Sequence, residues 1–190
     1  MSSSAIHKAF LAALEPCRPA LGAFCSRMVR DRADLEDALQ TTLLEAYRKF
    51  DSFRPGTDFR AWVFQIAAFT ALSLNRRRAK APEPLADDPL AAPEELALEL
   101  DYDALLAHPE RVRERLSDEA CRALDSLSEN ERAIFLLKSI GGLTCAEVAQ
   151  ALSLPMGTVM GLLARARGKL REALTEYARR EGILSEEPRP

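Results

Sequence analysis

Residues 127–170 read LSENERAIFLLKSIGGLTCAEVAQALSLPMGTVMGLLARARGKL, and this stretch decides the fold class. Ser128-Glu129-Asn130-Glu131 and Thr144-Cys145-Ala146-Glu147 each place a hydroxyl three residues ahead of a glutamate. Each can close a capping box, in which the two side chains satisfy backbone N–H groups at the start of a helix. Ile134, Phe135, Leu137 and Ile140 follow the first box at helical spacing, and Val148, Ala149 and Leu152 follow the second. Gly141-Gly142 ends the first of these helices. Ser153-Leu154 makes a tight turn, and Pro155 is placed to open a third helix. That helix sends Val159, Leu162, Leu163, Ala166 and Leu170 inward and Arg165, Arg167, Lys169 and Arg171 mostly outward. A short turn between two helices, the second of them basic, is the pattern of a helix-turn-helix. It is also that of a plain helical hairpin with a charged face. The cations lie mainly at the rear of the second helix, which suits phosphate contact better than base reading.

Toward the N-terminus, Leu35, Ala38, Leu39, Leu43, Ala46, Tyr47 and Phe50 recur with the spacing of an amphipathic helix. Asp34 is expected to cap it, with Glu36 and Asp37 in its first turn, where the helix dipole favours negative charge. Ile6, Phe10 and Leu14, then Leu21, Phe24 and Met28, predict one or two earlier helices broken near Pro16 and Pro19. Residues 51–58 form a loop by their Pro-Gly and polar content. A further helix is expected over 59–77, with Trp62, Val63, Ile66, Thr70 and Leu74 on its inner side, ending in Arg76-Arg77-Arg78. Three adjacent arginines leave side chains free for a phosphate backbone; matching the dipole is their plainer role. Phe53, Phe59, Trp62 and Phe64 crowd the loop and read as core more readily than as base-stacking platforms.

The 190 residues suffice for one large or two small domains, and 47% hydrophobic with 29% charged residues excludes disorder throughout. The net charge of -3 hides an asymmetry. Residues 1–78 carry 12 Lys and Arg against 8 Asp and Glu, residues 79–120 carry 4 against 12, and residues 121–190 carry 10 against 9. Pro82, Pro84, Pro89 and Pro93 interrupt the acidic middle, so it reads as a linker. The expected architecture is therefore all-α: a helical domain over 1–78, an acidic Pro-rich linker over 79–116, a helix-turn-helix domain over 117–178 and a frayed tail over 179–190. Cys17, Cys25, Cys121 and Cys145 are too scattered for a disulfide framework or a zinc knuckle, so no metal and no cofactor are expected. No apolar run reaches the roughly 20 residues of a membrane span, so no membrane insertion and a cytoplasmic location are expected. Glu36 and Asp37 adjoin, but neighbours on a helix point apart and no nucleophile accompanies them, so the chain is not expected to be an enzyme.

Four of these segments resemble the extracytoplasmic-function (ECF) sigma factors of the sigma-seventy family. Residues 34–44 (DLEDALQTTLL) resemble the region that docks on the polymerase clamp, and residues 59–67 (FRAWVFQIA) the helix that opens and reads the minus-ten element. Residues 127–132 and 142–149 resemble the start of the C-terminal domain, and residues 154–167 its minus-thirty-five recognition helix. The resemblance implies a sigma factor that binds core RNA polymerase, through the beta-prime clamp and beta flap, and directs promoter recognition and transcription initiation. It implies polymerase contacts from Asp37, Gln40 and Leu44, and DNA contacts from Arg54, Arg60, Trp62, Arg76, Arg77, Arg78, Thr158, Arg165, Arg167 and Lys169. The 51–58 loop is expected to take an extruded base, and the acidic linker to thread the positively charged polymerase cleft. An anti-sigma factor is a further implied partner.

The chain departs from the family pattern at several positions. Met160, Gly161 and Leu162 stand where lysine, serine and arginine are usual, Gln65 where arginine is, Phe69 where asparagine is, and Thr41 where an acid is common. All but Thr41, which lies in the clamp-docking stretch, fall on DNA-reading positions. A working factor with an unusual promoter is therefore weighed against a sigma-like decoy or adaptor that keeps partner surfaces but reads DNA weakly. A lone helix-turn-helix repressor leaves residues 20–78 unexplained.

Overall fold

The computed structural model describes residues 3–54, 56–80 and 118–180, and among them every regular element is a helix. The first group comprises α1 (Ser3–Leu14), α2 (Arg18–Met28), α3 (Leu35–Lys49) and α4 (Phe59–Lys80). The second comprises α5 (Asp118–Asp125), α6 (Glu129–Ser139), α7 (Cys145–Leu152) and α8 (Met156–Arg180). Helices α4 and α8 run two residues into the expected linker and tail; residues 81–117 and 181–190, where most of both fall, lie outside the described residues.

Local chemistry accounts for most boundaries. The break between α1 and α2 falls on a 3-10 turn at Glu15–Cys17, and Pro19 sits in the first turn of α2, where a missing N–H costs no hydrogen bond. Both capping boxes form: Ser128 N–H donates to Glu131 Oε2 at 3.0 Å, and Thr144 N–H to Glu147 Oε2 at 2.6 Å. Each hydroxyl accepts in return from the glutamate's own N–H. Asp58 caps α4 by accepting from Arg60 N–H at 2.8 Å. Asp34, by contrast, does not cap α3. A 3-10 turn over Arg32–Asp34, capped by Asp31, leaves Asp34 already helical, and its carboxylate takes the Arg78 guanidinium instead.

Helix α4 lies at the centre of the molecule, packed on α1, α2 and α3 and also on α6 and α7. Its buried residues are Val63, Phe64, Ala67, Ala68, Ala71, Leu72 and Asn75. Thr70 and Leu74, expected on the inner side, are only half-buried. The expected face is thus too narrow: a central helix is covered on several sides, and its three buried alanines let neighbours approach closely. Asn75 uses its whole side chain, accepting from Arg30 N–H and donating to Met28 C=O, both at 3.1 Å, which ties the end of α2 to α4.

The buried residues of both groups form one contiguous apolar cluster, so the two domains are docked. Polar ties cross the same junction. Arg60 donates to Gly141 C=O at 2.5 Å and to Ile140 C=O at 2.7 Å. Arg132 reaches Arg27 C=O at 3.5 Å, Arg27 donates to Cys121 Sγ at 3.3 Å, and Arg30 lies 3.8 Å from Glu129. Cys17 and Cys25 are core residues, and burial pushes the Cys25 thiol up to about 12, which leaves it inert.

Candidate nucleic-acid interface

Three surfaces carry the residues singled out from the sequence. The first is the outer face of α3. Glu36, Asp37 and Gln40 are exposed there, while Leu35, Ala38, Leu39 and Leu43 face the core. Gln40 donates to Glu36 at 3.0 Å and Thr41 to Asp37 at 3.3 Å, so the polar row is held in register along the helix. Leu44 shares the helical phase of Asp37 and Gln40, yet it is only 5% exposed and belongs to the core cluster, so it is covered in this arrangement.

The second surface is the loop before α4. Gly56 turns the chain with φ +92°, a backbone open to glycine without strain, and Thr57 donates to Arg54 C=O. Phe53 and Trp62 face each other with ring centroids 5.2 Å apart, and Phe59 lies 5.5 Å from Trp62. Phe64 is elsewhere, fully buried against Phe24. Phe53, Thr57, Asp58 and Trp62 line a cleft of about 350 Å³ with Arg54 beside it, and Glu147 and Gln150 of α7 close its other side. Arg60 turns away to the carbonyls that end α6 and lies 5.1 Å over the Phe64 ring, so in this arrangement it serves the domain junction.

At the far end of α4 the three arginines separate. Arg78 forks onto Asp31 at 2.7 Å and Asp34 at 2.6 Å, and these partners raise its already high pKa. Arg76 and Arg77 are exposed. Arg78 is thus tied to carboxylates more than 40 residues away in sequence.

The third surface is the α7–turn–α8 unit. Ser153 takes the left-handed conformation at φ 53°, Leu154 N–H bonds back to Ala149 C=O, and the helices meet at 109°, within the range of helix-turn-helix units. Thr158, Arg165 and Arg167 are exposed on α8. Lys169 is also exposed but donates to Glu131 at 2.8 Å, with Arg165 3.9 Å from the same carboxylate.

Glu131 is 3% exposed, and its bond from Lys169, followed by its capping bond from Ser128, lowers its pKa to about 2 from 4.5. A depressed acid stabilises the fold above its unfolded pKa, and that contribution is lost as pH falls from about 4.5 toward 2. Glu131→Gln is expected to cost about 1 kcal/mol at neutral pH, since Lys169 is half exposed and screened. Thermal melts across the acid range should show a shallower pH dependence in the variant; equal slopes would contradict the assignment.

Among the described residues no His, Cys, Asp and Glu cluster could hold a metal ion, and no single helix is long and apolar enough to cross a membrane. A helical four-element domain with an aromatic loop cleft, followed by a helix-turn-helix, defines a two-domain protein of sigma-seventy type. The Sigma-70 region 2 family matches residues 14–81, and the Sigma-70 region 4 family matches residues 118–170. The chain is 30% identical to the ECF RNA polymerase sigma factor SigW of Bacillus subtilis over 154 residues, covering 80% of this chain and 81% of SigW. It is 31% identical to SigE of Mycolicibacterium smegmatis over 157 residues, 80% of this chain but only 56% of SigE. Among solved structures, the sigma factor RpoE of Bartonella quintana, in complex with the anti-sigma factor NepR, matches with a TM-score of 0.66 at 25% identity, covering 88% of this chain and 98% of RpoE. CnrH, in complex with the cytosolic domain of CnrY, shares the fold at a TM-score of 0.60, with 24% identity and 90% of each chain covered. The chain belongs to the ECF RNA polymerase sigma factors. It is a transcription-initiation factor that works with RNA polymerase on promoter DNA.

Sequence reasoning missed Asn75, Arg132 and the junction role of Arg60. Asn75 and Arg132 left one signal, a polar residue within an apolar helical pattern.

Proposed function

We propose that residues 1–78 dock on the polymerase clamp and read the minus-ten element, that residues 117–178 read the upstream element, and that the acidic 79–116 segment tethers them in the polymerase cleft. Asp37 and Gln40, with Glu36 beside them, supply hydrogen-bonding groups to the clamp. The loop cleft takes one extruded base against Phe53 and Trp62, while Arg54, Arg76 and Arg77 hold the strand backbone and Thr158, Arg165 and Arg167 contact the upstream duplex. The chain acts in the cytoplasm and makes or breaks no bond itself; the polymerase supplies the chemistry. An anti-sigma factor is its regulatory partner, by likeness to RpoE, which is bound to one.

The loop cleft is the observation that carries this reading. It pairs an aromatic wall with polar Thr57 and Asp58 and a neighbouring arginine, the combination a flipped base and its phosphate require. Run-off transcription with core RNA polymerase on a randomised promoter library tests it. The expected result is specific initiation, reduced at least about tenfold in the Asp37→Ala/Gln40→Ala double variant, the loss of one to two buried hydrogen bonds to a partner. Background transcription together with capture of an anti-sigma factor would instead establish the decoy.

A further inference from the structure

Helix α8 carries a ridge of three glycines and one alanine. Val159 points fully into the core, and at about 100° per residue the opposite side of the helix runs Gly157, Gly161, Ala164, Gly168. All four are exposed. A Cβ built on Gly157, Gly161 or Gly168 meets nothing within 4 Å, so packing inside the chain does not call for glycine there. Helix propensity opposes it. Beside the ridge stand Met160, 59% exposed, Met156, 42% exposed, and exposed Thr158.

Charge identifies the occupant. Residues 156–171 include Arg165, Arg167, Lys169 and Arg171 and not one acid, so the ridge, flanked at its start by Met156 and Met160, is bordered along its length by cations suited to a polyanion. The ridge also begins at the N-terminus of the second helix of a helix-turn-helix, the part that meets base edges in the major groove. The docked domains leave it open, although α7 closes one side of the loop cleft. Over residues 156–161 the only hydrogen-bonding side chain is Thr158; nothing there can fork onto a guanine. Two thioether chains and a threonine methyl complement the C5-methyl of thymine instead.

We propose that this protein reads its upstream promoter element through thymine methyl groups, contacted by Met156, Met160 and Thr158, with Gly157 and Gly161 letting the helix backbone approach the groove floor. The proposal rests on the chain's reading as a promoter-binding sigma factor. Arg165 and Arg167 hold the flanking phosphates and set affinity without setting sequence.

The test uses the full chain assembled with core RNA polymerase and a promoter library randomised over both elements. Selected upstream elements are expected to be rich in A·T pairs. Uracil in place of a contacted thymine removes only the methyl group and is expected to lower initiation about fourfold per site. Replacing any guanine of the element by 7-deazaguanine should leave initiation unchanged. Gly161→Leu fits the fold, since its side chain meets open space, and is expected to lower initiation at least about tenfold, while Gly161→Ala has a smaller effect. Thymine-to-uracil replacement without effect, or a loss with 7-deazaguanine, overturns the proposal while leaving the sigma function standing. Wild-type initiation by Gly161→Leu together with lost binding to a protein antagonist also overturns it, and assigns the ridge to a protein helix. Initiation from no library member overturns this proposal and the sigma reading together.

Discussion

Replacing Arg132 by alanine is expected to destabilise the second domain by about 2–4 kcal/mol, a large part of the stability of a small helical unit. Arg132 is 1% exposed and among the largest fully buried side chains. It donates to Leu124 C=O at 3.1 Å, to Asp125 at 2.8 Å and, across the junction, to Arg27 C=O at 3.5 Å. Burial lowers the guanidinium's pKa and Asp125 offsets part of that. Asp125 is 68% exposed and returns to water when its partner is removed, so no buried charge is stranded and the cost stays below that of splitting a fully buried pair. What is lost is the partner of two carbonyls and the volume of the side chain. Arg132→Lys does not restore it, because one ammonium cannot span acceptors that a planar guanidinium meets with three nitrogens. Urea unfolding should show a lower midpoint at unchanged slope. A midpoint equal to that of the parent chain would refute the role.

The second large effect is expected at Arg60. Its two bonds to Gly141 and Ile140 carbonyls are short polar ties between the domains, and they place a cation at the C-terminal end of α6, the negative end of its dipole. Charge-assisted bonds of this kind contribute about 1.5–3 kcal/mol each, less what water returns to the carbonyls on opening. Arg60→Ala is therefore expected to shift the docked-to-open ratio by about 2–3 kcal/mol, or roughly thirty- to a hundred-and-fiftyfold. The ties made by Arg132, Arg27 and Arg30, at 3.3–3.8 Å, are weaker. Opening moves Glu147 and Gln150 away from Trp62 and uncovers the loop cleft. Small-angle scattering should report a larger radius of gyration, and the amides at 140–143 should exchange hydrogen faster. Unchanged scattering and exchange would show that apolar contact alone holds the domains.

The capping boxes at Ser128 and Thr144, the proline-marked start of α2 and the helix-turn-helix were legible because their causes lie within four residues of chain. The outward row of α3 was legible for the same reason, its period being local. The burial of Leu44 was not legible, because its local period puts it with Asp37 and Gln40 and only packing from beyond the helix covers it. Asp34 was misread because an Arg78 partner, 44 residues away, competes for the carboxylate that a cap needs.

The sequence by itself determined an all-helical chain of sigma-seventy type, since periodicity, caps and motif order are short-range properties that any stable packing must respect. Only the tertiary structure decided which partners several of the cations take. Arg60 is spent on carbonyls 80 and 81 positions away, Arg78 on Asp34, and Lys169 on Glu131. A side chain's partner is set by what the fold brings within hydrogen-bonding distance, and separations of this size leave no trace in a local pattern.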